Sequence, residues 1–192
     1  MEHRENFIRG LSLIAAAIDE MAGRGLSRPV LVGGAAVELW TSSEVVTGDF
    51  DFVTENQAIF EEILQTEGFV KPGGIGVLQR GLHHPDLLIG IEVVSGRLFD
   101  GNVPDDRLVM VSFDTGSLVV ISIEDAIADR MGQYASHEAS NEEMLGQAVT
   151  LLRIATEIDR DYLDKRIRME TLNSYDLKFL EERVGEHALP HP

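Results

Sequence analysis

Two aspartates one residue apart carry the strongest chemical signal in the chain: Asp49 and Asp51, in Thr47-Gly48-Asp49-Phe50-Asp51-Phe52-Val53. The apolar residues around them predict a strand, and strand side chains at i and i+2 point to the same face. Two neighbouring carboxylates repel each other unless positive charge lies between them, and a divalent cation is the usual partner. Upstream, the apolar run Val30-Leu31-Val32 ends in Gly33-Gly34 and opens a short helical segment, Ala35 to Trp40. Backbone N–H groups at such a helix start can receive an anion, and glycine lets it come close. A phosphate cradle beside metal-binding carboxylates points to nucleotide chemistry. Two-metal chemistry calls for a third acid from a neighbouring strand. Glu92 is the candidate, as the lone acid of the apolar stretch Leu88-Ile-Gly-Ile-Glu92-Val-Val94. Burying an unpaired carboxylate is costly, and a metal removes that objection. An exposed strand face or an arginine partner is the alternative for Glu92, and Asp86 is the alternative third acid.

The order apolar strand, Gly-Gly, short helix, Asp-x-Asp strand resembles the nucleotidyltransferase superfamily, the DNA polymerase β-like fold. Its small members, the minimal nucleotidyltransferases and AbiEii-like toxins, are the most similar in flavour. The resemblance is strongest over residues 29–53 and extends more loosely to about residue 135 through Ser122-Ile-Glu-Asp-Ala-Ile-Ala-Asp-Arg130. It implies transfer of a nucleoside monophosphate from an NTP to an acceptor hydroxyl on a protein, an RNA or a small molecule. Asp49, Asp51 and Glu92 would be the catalytic residues and would hold Mg2+ or Mn2+. Gly33, Gly34 and Thr47 would bind the nucleotide, and a toxin–antitoxin or defence setting is implied as well. The family's arginine two residues before the threonine is Val45 here, and no basic residue lies between Arg28 and Lys71. Arg130, at the place of the family's usual lysine, is therefore expected to meet the triphosphate, with Arg80 second. Pairing on the helix surface with Asp125 or Asp129 is the alternative for Arg130. Two further function classes stay open: a catalytically weakened relative acting as a nucleotide- or protein-binding module, and a structural partner protein whose aspartates cap loops.

Sixteen basic residues against 33 acidic ones give a formal net charge of −17, which repels phosphate backbones and argues against a nucleic-acid partner. The densest basic group, Arg160, Lys165, Arg166 and Arg168, is interleaved with Asp159, Asp161, Asp164 and Glu170, and reads as a solvated helix face. The absence of cysteine excludes disulfides and thiolate zinc sites. No apolar run is long enough to span a bilayer, so a cytoplasmic protein without membrane contact is expected. Gly73-Gly74-Ile75-Gly76 lacks the Lys-Ser/Thr of a phosphate loop and reads as a hairpin connection. His83 and His84 would face opposite ways, which suits a turn or surface role rather than one metal site.

The elements that must position these residues follow from periodicity. Phe7, Leu11, Ile14, Ile18 and Met21 form one apolar helical stripe, closed by Gly23 and Gly25. Strands are expected at Val30–Val32, Phe50–Val53, Ile75–Arg80, Leu87–Val94, Leu108–Phe113 and Leu118–Ile121, with a helix at Asn56–Thr66. Helices follow, opened by Ser122 with Asp125 and by Ser140 with Glu143 in the manner of capping boxes. The pattern alone gives an α+β fold. The resemblance makes it a mixed β-sheet nucleotidyltransferase palm flanked by helices over residues 1–121, followed by a C-terminal helical segment over 122–192.

Overall fold

The computed structural model describes residues 2–73, 81–101, 103–136 and 142–187. The strand expected at 75–80, the connection before it, Arg80, Ser140 and the tail beyond residue 187 lie outside them. The chain divides into two compact units, one of residues 1–36 with 46–121 and the other of 37–45 with 122–192. Segment 37–45 clusters with the helical unit.

Among the described residues of the sheet unit, six strands form one mixed sheet: β1 (Val30–Val32), β2 (Asp49–Val53), β3 (Leu82–His84), β4 (Ile89–Ser95), β5 (Val109–Phe113) and β6 (Gly116–Val120), in the order β3-β4-β2-β1-β6-β5. The central strands β1 and β2 are antiparallel, while β2–β4 and β1–β6 are parallel. The sequence alternates along β2, and the register carries that alternation across the sheet. Leu31 pairs with Phe52 and Val120, and Phe50 with Ile91, so these residues share one face. Leu31, Phe50, Phe52, Leu118 and Val120 are all fully buried there. Two helices supply the cover: α1 (Glu2–Gly23) and α3 (Gln57–Thr66). Phe7 of α1 stacks on Phe50 and Phe60 of α3 meets Phe52 edge-on, each pair at 5.2 Å between centroids. The α1 stripe read from the sequence is buried along its whole length, with Leu11, Ile14, Ile18 and Met21 at 0% exposure.

One strand departs from expectation. His83 and His84, read as turn or surface residues, lie on β3, which pairs antiparallel with β4 at the sheet edge. The ladder is supplied by β4, so a segment without β-forming periodicity still becomes a strand. Pro85 and Asp86 make the turn, and Leu88 at φ 55° delays the start of β4 to Ile89.

The helical unit contains α4 (Ile123–Ser136), α5 (Glu142–Ile154), α6 (Arg160–Glu170) and α7 (Leu177–His187), while α2 (Gly33–Trp40) starts in the sheet unit and ends in this one. Ser122 caps α4: its hydroxyl accepts from the Asp125 N–H at 3.0 Å and donates to the Asp125 carboxylate at 2.9 Å. Asp125 is fully buried and also receives the Tyr162 hydroxyl at 3.0 Å and Arg166 Nε at 2.7 Å. Arg166, expected on a solvated face, is 1% exposed, because its partner stands on another helix. Burial opposes its charge, but Asp125 and Glu170 more than compensate and leave the guanidinium pKa above its ordinary value. Arg160 and Arg168 do lie on the exposed side, paired with Glu181 and with Asp164 and Asp176. Among the described residues no helix is long and apolar enough to cross a membrane.

Candidate active site

The parallel register of β2 and β4 decides where the acids stand. Asp49 pairs with Gly90 and Asp51 with Glu92, and paired residues on neighbouring strands point to the same face. Asp49, Asp51 and Glu92 therefore form one carboxylate row on the face opposite the buried Phe50 and Phe52. Asp49 is exposed, and Asp51 and Glu92 are half-buried. Asp86 lies in the exposed turn between β3 and β4 and takes no part in the row.

On the other side of β2, Val32 of β1 pairs with Asp51, and the next residue, Gly33, opens α2. Gly33 has φ +66°, and a Cβ there would stand 2.3 Å from Asp51 Oδ2. Backbone conformation and close approach thus both demand glycine. A Cβ on Gly34 would stand 2.9 Å from Thr47 Oγ1. The Thr47 hydroxyl in turn lies over the Asp49 backbone, 3.4 Å from its carbonyl oxygen and 3.5 Å from its nitrogen. The first turn of α2, Thr47 and Asp51 are thus brought together by the strand, Gly-Gly, helix, strand order. The first N–H groups of a helix have no acceptor within it, and its dipole favours an anion at that end.

The two aspartates lean apart: Asp49 Oδ1 sits beside Gly90, 2.4 Å from where a Cβ would be, and Asp51 Oδ2 sits beside Gly33. Separation is the arrangement that like charges favour. Among the described residues, no three His, Asp or Glu side chains are gathered so as to enclose an ion as they stand. The acids expected to converge on one point thus share a face without forming a closed cluster. Their donor chemistry does fit a hard divalent cation, because all three offer carboxylate oxygens to the same side of adjacent strands.

The cations lie differently. Arg28 pairs with Asp19, and Lys71 pairs with Glu61 at 3.4 Å. Arg130 is 4% exposed within the helical unit. Its Nε donates to Asp129 at 3.1 Å and its Nη1 to Gln147 at 3.4 Å, and its Nη2 completes an ion pair with Asp129. Of the two carboxylates the sequence offered Arg130, Asp129 takes it, and the pair is largely buried rather than on a helix surface.

No protein-family model and no curated protein sequence matches the chain. Among solved structures it resembles an antigenic nucleotidyltransferase-like protein from Paracoccidioides brasiliensis, with a TM-score of 0.57 at 13% identity, over 93% of this chain and 90% of that one. The chain has a nucleotidyltransferase fold. The solution structure of the antibiotic-resistance factor ANT(2'')-Ia is also similar, with a TM-score of 0.48 at 14% identity, over 96% of this chain and 99% of that one. In this nucleotidyltransferase fold the residue that sequence reasoning passed over is Gly90. The signal was present, since a lone glycine inside an apolar strand marks a place where another group approaches closely.

Proposed function

We propose that the chain is a divalent-metal-dependent nucleotidyltransferase that moves a nucleoside monophosphate from an NTP to an acceptor hydroxyl. The observation that carries this reading is the β2–β4 register, which sets Asp49, Asp51 and Glu92 in one row beside the first turn of α2. These three carboxylates would hold Mg2+ or Mn2+, which when bound lowers the pKa of an attacking hydroxyl and stabilises charge on the departing pyrophosphate. The N-terminal N–H groups of α2 would receive phosphate oxygens, and Gly33 and Gly34 carry no side chain to hold them off. The Thr47 hydroxyl can donate to the same group. The acid-rich composition favours a protein or small-molecule acceptor over a nucleic acid.

A second reading, a catalytically weakened nucleotide-binding relative, is favoured by one observation: Arg28, Lys71 and Arg130 are each engaged by a carboxylate of this chain. Incubation with each α-labelled NTP and Mg2+ or Mn2+, with the parent and Asp51→Asn compared, separates the two. Label transferred by the parent and not by the variant supports the first reading. Metal-dependent binding without transfer supports the second.

A further inference from the structure

Within the acidic row, Gly90 is the position without a side chain. It faces Asp49 across the ladder, and its N–H donates to the Gly48 carbonyl at 3.1 Å, which pins the backbone beside Asp49. A Cβ on Gly90 would stand 2.4 Å from Asp49 Oδ1, while the Asp49 Cγ and the Leu82 carbonyl oxygen, at 3.5 and 3.9 Å, are at ordinary contact distance. The backbone does not demand glycine here, because Gly90 is outside the left-handed region. The fold does not gain from it either, because glycine in a strand loses the most conformational freedom on folding and packs nothing. Among the described residues, a Cβ would displace only the carboxylate of Asp49.

We infer that Gly90 is a positioning residue whose missing side chain is the seat of the Asp49 carboxylate and fixes the direction from which Asp49 meets a divalent ion. The inference rests on the proposed metal-dependent reaction. Gly33 offers a similar seat to Asp51, but its positive φ mixes a backbone requirement with the seat. Gly90 isolates the seat alone.

The test is Gly90→Ala in the full chain, read by Mn2+ titration calorimetry and by thermal unfolding. The melting temperature holds or rises, since alanine restricts the unfolded chain and fits an extended backbone. Mn2+ affinity falls by about tenfold or more, the scale for groups that orient a metal ligand. Gly96→Ala, where none of the described residues lies within 4 Å of the added Cβ, keeps the parent affinity. In an Asp49→Asn background Gly90→Ala costs no further affinity, because its effect passes through Asp49. Equal Mn2+ affinity in the parent and Gly90→Ala overturns the inference and leaves the metal-site reading standing. A parent that binds no Mn2+ overturns both. Loss of affinity together with a lowered melting temperature makes Gly90 a structural glycine and overturns the inference as well.

Discussion

Replacing Asp125 by alanine perturbs the helical unit at a fully buried carboxylate. The Asp125 carboxylate receives the Ser122 hydroxyl at 2.9 Å, the Tyr162 hydroxyl at 3.0 Å and Arg166 Nε at 2.7 Å, with no solvent exposure. Arg166 is 1% exposed, and it also pairs with Glu170, at 2.7 Å and itself 26% exposed. Breaking a buried ion pair by removing one partner costs about 3–5 kcal/mol, because the remaining charge stays desolvated. Against a typical domain stability of about 5–15 kcal/mol, this is a loss of about a fifth at the least. Arg166→Met orphans Asp125 instead, but the Ser122 and Tyr162 hydroxyls still donate to it, so its cost falls toward the lower end of that range. Removing both charges, as Asp125→Ala with Arg166→Met, removes both desolvation penalties and is expected to cost less than the sum of the single changes. A coupling of about 2–3 kcal/mol is expected, near the upper end for contacting residues. Urea denaturation of the four chains, followed by far-ultraviolet circular dichroism, measures it. Costs that add to within about 0.5 kcal/mol, the scatter for independent sites, would refute the buried-pair reasoning.

Other outcomes follow from the same geometry. Gly33→Ala forces a left-handed alanine against Asp51, at a backbone cost of about 1–2 kcal/mol, so both melting temperature and Mn2+ affinity fall, whereas Gly90→Ala lowers affinity alone. The Arg168 hydrogen bond, helped by the Leu177 N–H, holds Asp164 below its ordinary 3.8. Its contribution to stability is therefore present above that value and is lost as pH falls through the folded pKa, so Asp164→Asn should flatten the acid limb of a stability–pH curve. Glu170 runs the other way, because burial raises its pKa above 4.5 despite the pull of Arg166. Its folded carboxyl holds a proton more tightly than the unfolded one, so its contribution declines as pH climbs from 4.5 through the folded value. Glu170→Gln should remove that decline from urea midpoints measured against pH.

How far the sequence reached depended on whether the partner of each residue was local. The stripe of α1 was legible because one helix face is buried and the other is not, and β2 was legible because its aspartates alternate with fully buried phenylalanines. The face on which Glu92 stands was not, because it depends on which strand β4 pairs with and in what register, a choice made by the whole sheet. β3 was missed for the same reason, its ladder being supplied by β4. Arg166 was misread since charge alternation along α6 says nothing of Asp125, which arrives from α4. In the candidate site, the Gly-Gly and Asp-x-Asp segments were readable as chemistry. Which glycine seats which carboxylate emerged only once the strands were laid side by side.

The central claim is that the row of Asp49, Asp51 and Glu92 beside α2 binds a nucleotide through a divalent ion. Calorimetric titration of NTP into the parent chain and Asp51→Asn, each with millimolar Mg2+ or Mn2+ and again with chelator, tests it most directly. The account predicts binding by the parent that disappears with chelator and is lost or greatly weakened in Asp51→Asn. A parent that binds no NTP in the presence of metal, or that binds it equally well with chelator or with Asp51 replaced, would contradict it.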